Sequence, residues 1–133
     1  MATRSRIAIE LPDGKVKSVY CHSDGYPKYN GILLHEHYQD RSKVEKLIKL
    51  GDLSSLHKSV EPTDQHTFSN PQDGVTVAYH RDRGESRTGP RKNQNKLDYF
   101  GSDVEEYGYL FTNDNEWVYV SYSDRNPRKC SEI

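Results

Sequence analysis

Two short clusters hold most of the side chains in this sequence that could do chemistry. Tyr20-Cys21-His22-Ser23-Asp24 places a phenol, a thiol, an imidazole and a carboxylate ahead of the turn Gly25-Tyr26-Pro27. His80-Arg81-Asp82-Arg83 adds a second imidazole with two guanidinium groups. Both follow runs that alternate like strands, and loops after strands are where scaffolds expose functional groups. His22 and His80, with Asp24, are therefore the candidate catalytic residues, as a general acid/base couple that Arg81 or Arg83 would serve by holding an anion. Cys21 beside His22 suggests a nucleophile and its base, but neighbours on a strand point to opposite faces. Cys21 shares its parity with Val19 and is expected in the core.

The residues around Arg83 carry the strongest sign of a charged ligand. Arg81, Arg83, Arg87, Arg91, Lys92 and Lys96 stand against Asp82 and Glu85, a net charge of +4 over residues 81–96. Guanidinium forks suit phosphates and carboxylates, and Gly84 and Gly89 would let the backbone approach an anion. Tyr20, His22, Asp24, Tyr26, His80, Arg81, Arg83, Arg87 and Arg91 form the expected ligand- or partner-binding set. Residues 98–119 have the opposite character, with six acids and no Lys or Arg among Tyr99, Tyr107, Tyr109, Trp117 and Tyr119. Tyr and Trp are favoured anchors at protein interfaces, and they also suit a sheet with one wet face.

Metal binding finds no pattern. His35-Glu36-His37 lies on an expected helix, where alternate residues are about 200° apart and cannot grip one ion. The His-Glu-x-x-His spacing is absent, and no metal or cofactor is expected.

The elements that must position these residues are short. Ile7, Ile9 and Leu11 alternate with polar neighbours, as do Val16, Ser18 and Tyr20, and Pro12-Asp13-Gly14 between them is turn chemistry. Asn30 is placed to cap a helix through about Tyr38, and Ser42-Lys43-Val44-Glu45 reads as a capping box that starts a second one, ended by Gly51. Asp52 to Leu56 would add a short turn and residues 58–74 a loop. Val75 to Tyr79 reads as a strand, residues 82–96 as a long polar loop, and Asp103 to Glu106 as weakly helical. Tyr107 to Phe111 and Trp117 to Tyr122 make a second hairpin around Asn113-Asp114-Asn115. The order β-β-α-α-β-β-β implies an α+β domain over residues 1–125, an antiparallel sheet of about five strands with two helices on one face, followed by a frayed tail over 126–133. Leu34, Tyr38, Val44, Leu47 and Ile48 should pack on Ile7, Ile9, Val16, Val77, Leu110 and Val118.

Composition bounds the rest. The 133 residues are 32% hydrophobic and 29% charged, with a mean hydropathy of -1.01. Ten Tyr residues offset the shortage of aliphatic side chains, since each buries a large ring and keeps a polar tip. A net charge of -1 argues against general DNA binding. No apolar run is long enough for a membrane span. The start, Met1 to Arg6, is basic with no apolar stretch behind it, unlike a signal peptide. Two cysteines without a Cys-x-x-Cys fit a reducing compartment.

The motifs Thr3-Arg4-Ser5-Arg6-Ile7-Ala8-Ile9, Asp13-Gly14-Lys15-Val16-Lys17-Ser18-Val19-Tyr20-Cys21-His22-Ser23-Asp24-Gly25-Tyr26-Pro27 and Tyr79-His80-Arg81-Asp82-Arg83-Gly84-Glu85 resemble those of a family of small uncharacterised proteins of tailed bacteriophages and prophages. The likeness spans roughly the first 85 residues. Ser23 stands where members commonly carry an aromatic residue. The resemblance implies a phage accessory protein acting in the cytoplasm of a bacterial host, and implies no activity. Three functions follow in order of preference. The first is a non-enzymatic binding protein that inhibits a host defence or redirects a host machine. The second is a binder, or sponge, of a nucleotide or oligonucleotide signal. The third is a small phosphodiesterase- or nuclease-like enzyme using His22 and His80. The expected partner is a host protein or an anionic nucleotide, and self-association stays open.

Overall fold

The computed structural model describes residues 2–133 and carries eight strands and four α-helices. Met1, the first residue of the basic N-terminal stretch, lies outside the described residues. The N-terminal hairpin forms as the alternation predicts: β1 (Ser5–Glu10) and β2 (Val16–Cys21) pair antiparallel from Ser5↔Cys21 to Glu10↔Val16. Gly14 takes φ +86° in the connecting turn, a conformation that costs glycine least. The second hairpin is β6 (Tyr107–Phe111) with β7 (Trp117–Ser121).

Between them the chain departs from the sequence reading. A π-helical turn, Pro27–Gly31, leads directly into α1 (Ile32–His37), so Asn30 is buried inside the turn and caps nothing. Helix α2 (Arg41–Lys49) starts two residues earlier than the expected capping box allows. Asp40 is its cap, accepting from the Ser42 amide at 3.2 Å and the Ser42 hydroxyl at 2.9 Å. A carboxylate at this position both accepts orphan amides and opposes the positive helix end. The expected turn at Asp52 to Leu56 is strand β3 (Leu53–Ser55), and the expected third strand is reduced to β4 (Val77–Ala78) and an isolated bridge from Val75 to Ser59. Tyr79–Arg83 is helix α3.

Residues 82–96 are not one loop. Thr88 is buried, and its carbonyl accepts from the Asp52 amide at 2.7 Å. Gly51 lies against that carbonyl with φ +81°, so close that a Cβ would overlap the oxygen. Arg91–Asn93 then forms β5, antiparallel to β2. Helix α4 (Lys96–Gly101), capped by the Asn95 side chain, replaces the weak helix expected at Asp103 to Glu106. The C-terminus is also built in: Arg128–Lys129 forms β8 on β7, and Cys130 is buried. The expected frayed tail is thus an edge strand and a short 3-10 turn.

The strands form one sheet in the order β4-β3-β2-β1-β6-β7-β8, with β5 also on β2. The class is α+β, but the sheet exceeds the expected five strands and is mixed, because β1 pairs β6 and β2 pairs β3 in parallel. Each face has its own core. Leu34, Tyr38, Val44, Leu47 and Ile48 pack on Ile7, Ile9, Val19 and Tyr109, as the helical spacing predicts for the first two. Val16, Leu110 and Val118 lie on the other face, with Tyr99 and Phe100 of α4. Strand parity dictates this, since Ile7 and Ala8 must point to opposite sides. Helices therefore cover both faces and not one.

The polar composition is reconciled through tyrosine. Tyr38, Tyr99 and Tyr109 are fully buried. Their hydroxyls donate to the carbonyls of His57 at 2.5 Å, Tyr109 at 2.9 Å and Gly25 at 2.6 Å. Each ring supplies core area while its one polar atom is satisfied.

Candidate functional site

The two sequence clusters meet at one row of the sheet. Cys21 of β2 pairs Leu53 of β3, which pairs Ala78 of β4. Asp52 joins the clusters: its carboxylate accepts from the Tyr20 amide at 2.9 Å and its carbonyl from the Tyr79 amide at 3.2 Å. The Tyr20 phenol is pushed above its ordinary pKa by burial and then by the neighbouring Tyr79 phenol. Tyr20 and Tyr79 are both tied to Asp52 through their amides. Burial raises the Asp52 carboxyl too, against the Tyr20 amide and Arg6.

The two histidines do not pair through this row. β3 runs parallel to β2 and antiparallel to β4, so the chain leaves Cys21 and Ala78 in opposite directions. Each imidazole also has an internal partner. His22 Nδ1 lies 2.7 Å from the Tyr20 hydroxyl. His80 Nδ1 lies 2.9 Å from the Glu85 carbonyl, which can only accept. Among the described residues no hydrogen bond or ion pair joins His22, His80 and Asp24, so the expected acid/base couple is not formed by direct contact.

That turn is fixed by Gly25, whose amide donates to the Thr3 carbonyl at 2.8 Å. A Cβ there would lie 2.7 Å from that of Ser5. Asp24 is exposed at φ +55°. Tyr26 is 41% exposed and sits 6.3 Å from Tyr29, ring to ring. Cys21 is buried, which pushes its thiol up to about 11, so it is core and not a nucleophile.

The arginine cluster divides sharply. Arg81 is structural, donating to the carbonyls of Val60 and Thr76 at 2.6 Å each and to the Asp82 carboxylate at 2.9 Å. Arg91 donates to the Asp103 carbonyl at 2.9 Å and to Ser102 Oγ at 2.8 Å. Neither fork is available as expected of a ligand clamp. Arg83 lies over Phe68 and Tyr79, its guanidinium carbon 4.4 and 5.0 Å from the ring centroids, with Glu85 3.1 Å away. Arg87 is exposed at φ +61°, and among the described residues nothing hydrogen-bonds its side chain.

Asp82 anchors this region from below. Its side chain is 4% exposed and receives the Ala78 amide at 2.8 Å and Arg81, with His66 Nε2 at 3.0 Å. His66 Nδ1 accepts the Gln72 amide, which leaves the ring proton on Nε2, facing the carboxylate. Burial raises the Asp82 carboxyl, but the bonds from Arg81 and Ala78, with the His66 ring close by, outweigh it and hold it below the usual range.

A second group escaped the sequence reading. His57 Nε2 lies 3.2 Å from Ser55 Oγ, and its Nδ1 lies 3.2 Å from the Tyr29 hydroxyl. The Tyr29 hydroxyl also lies 3.4 Å from the Leu56 carbonyl. Burial lowers the His57 pKa, against the charges of Asp24 and Asp73. Tyr29 and His57 line a cavity of about 420 Å³ whose wall includes Lys28, Lys58, Glu36 and Asp73. Among the described residues no group of three His, Cys, Asp or Glu side chains is placed to hold a metal. No described helix is long and apolar enough to cross a membrane.

Comparison with family models, with curated proteins and with solved structures found no match to this chain.

Proposed function

We propose that the chain is a phage-encoded binding protein that acts in the cytoplasm of a bacterial host by occupying an acidic surface of a host protein. The binding face is built from Tyr20, His22, Tyr79, His80, Arg83 and Arg87. The observation that carries this reading is the Arg83 guanidinium laid on Phe68 and Tyr79 beside the unheld Arg87. Stacking occupies the flat side of the guanidinium and pre-orders it, so little side-chain freedom is lost when its N–H edge meets a carboxylate. Glu85 takes one of those donors at an exposed pair, and such pairs are weak enough for a partner to replace. The phage setting rests on the resemblance of the two clustered motifs and on nothing in the geometry.

A second reading, a binder of a nucleotide signal, draws on the same stack, since aromatic rings and a guanidinium also hold bases and phosphates. One experiment separates the two. The protein and an Arg83→Glu/Arg87→Glu variant are used to capture partners from a bacterial lysate, and both are melted in a panel of cyclic and linear nucleotides. A captured protein lost with the variant, without thermal shifts, supports the first reading. A nucleotide-specific shift of several degrees supports the second. Equal behaviour of both proteins in both assays refutes this face as the site.

A further inference from the structure

We propose that Ser55, His57 and Tyr29 form a nucleophile, a base and a positioning group, and that Ser55 is a reactive serine able to accept an acyl or phosphonyl group. The site shares no residue with the Arg83 face, and the inference goes beyond the binding function.

The argument starts from the Leu56 carbonyl. Leu56 is buried, and among the described residues its carbonyl receives one hydrogen bond, from the Tyr29 hydroxyl. A buried carbonyl demands a donor, so the Tyr29 proton is directed there. The Tyr29 oxygen can then only accept from His57 Nδ1, which fixes the ring proton on Nδ1. His57 Nε2 keeps its lone pair, and that lone pair faces the Ser55 hydroxyl. The direction of proton donation runs from Ser55 through His57 and Tyr29 to Leu56. This is the tautomer a serine nucleophile requires of its base.

The rest of the scaffold holds the imidazole in place. The His57 amide donates to Thr76 Oγ1 at 3.0 Å, and the His57 carbonyl receives the Tyr38 and Thr76 hydroxyls. Ser55 ends β3 in register with Val77, so its backbone is fixed by the sheet. Tyr29 and His57 of the trio line the adjoining cavity, with Ser55 behind His57, and its wall carries Lys28 and Lys58 as well as Glu36 and Asp73, a mixed lining for the polar end of an ester.

In the step itself Ser55 Oγ bonds to the ester carbonyl carbon while its proton passes to His57 Nε2. The carbon–oxygen bond to the alcohol breaks, and the alcohol leaves with that proton. Water then reacts with acyl-Ser55 by the same proton path, and the net reaction is ester plus water to acid plus alcohol. Ser55 and His57 are catalytic in this scheme, and Tyr29 is a positioning residue.

The test uses an alkyl fluorophosphonate, which loses fluoride as its phosphorus bonds to Ser55 Oγ. Intact-mass and peptide analysis should find one adduct on Ser55. Ser55→Ala and His57→Gln should abolish it, and Tyr29→Phe should slow it at least tenfold. Nitrogen-15 NMR should show His57 protonated on Nδ1 in the parent and as a mixture of tautomers in Tyr29→Phe, a change that mere packing would not produce. Unchanged far-UV circular dichroism establishes that each variant is folded. Should Ser55→Ala misfold, Ser55→Cys replaces it and should move labelling to a thiol-reactive ester probe. No adduct on the folded parent, or an adduct that survives Ser55→Ala, overturns the proposal.

Discussion

Replacing Asp82 by alanine should destabilise the protein by about 3–5 kcal/mol, the usual result of removing one partner of a buried ion pair. The magnitude follows from what the carboxylate touches. It accepts the Ala78 amide at 2.8 Å and two Arg81 nitrogens at 2.9 and 3.2 Å, with His66 Nε2 at 3.0 Å. Stranding the Ala78 amide alone costs about 1–3 kcal/mol. Arg81 keeps its bonds to the Val60 and Thr76 carbonyls and is 23% exposed, which holds the total away from still larger values. Urea unfolding measures the loss directly, and the melting temperature should fall by roughly 10–20 °C. Because His66 and Arg81 tie residues 58–74 to α3, the variant should also be cut in that segment by a protease that spares the parent. Asp82→Asn should lose less, since its amide oxygen still accepts from Ala78. The sign of the pH dependence follows as well. The folded pKa lies below the unfolded one, so the contribution is present above about pH 4 and is lost as pH falls through the folded value. Asp82→Ala should lack that acid-side slope. A loss under about 1 kcal/mol, with no new cleavage, would refute this account of the anchor.

Gly51→Ala should destabilise by more than about 2 kcal/mol, because it adds a clash with the Thr88 carbonyl to the left-handed backbone penalty. Gly14→Ala, at a similar φ with open space around it, should cost only about 1 kcal/mol, and chemical denaturation of both variants checks the contrast. Leu47→Ala should cost about 2–5 kcal/mol in the same assay, as a fully buried side chain between α2 and the sheet. His57 has its folded pKa lowered by burial, so its contribution is present above about pH 6.5 and is lost as pH falls. Stability measured between pH 7.5 and 5 should therefore fall less in His57→Gln than in the parent.

The hairpins were legible because alternation and turn residues are local signals. Ile7, Ile9 and the Pro12-Asp13-Gly14 turn define β1 and β2 without reference to anything distant, and the same holds for β6 and β7. Strands β5 and β8 were not legible, since Arg91–Asn93 and Arg128–Lys129 are short, polar and held by the backbone of β2 and β7. Leu110 and Val118 fall on the α4 face because Ala8 stands opposite Leu110 and Leu110 opposite Val118, a register between distant strands that alternation within each strand does not show. The cap at Asp40 competes with a capping box that starts two residues later, at Ser42. At the site, the row Cys21–Leu53–Ala78 ties Tyr20 and Tyr79 to Asp52, but β3 lies between β2 and β4 and the two run in opposite directions, which the sequence does not show. The arginines show the limit most plainly. Arg81 and Arg91 look like free cations in the sequence, yet their acceptors are carbonyls at Val60, Thr76 and Asp103, which only the folded chain brings near. His57 was invisible for the same reason, because Tyr29 lies 28 residues away from it.

Hydrogen exchange of the protein, alone and with its captured partner, tests the binding face most directly. Protection should appear in residues 79–88 and around Tyr20 and His22, and should disappear at high salt, as contacts between exposed charges require. Protection confined to other faces of the sheet, with residues 79–88 exchanging as fast as in the free protein, would contradict the assignment.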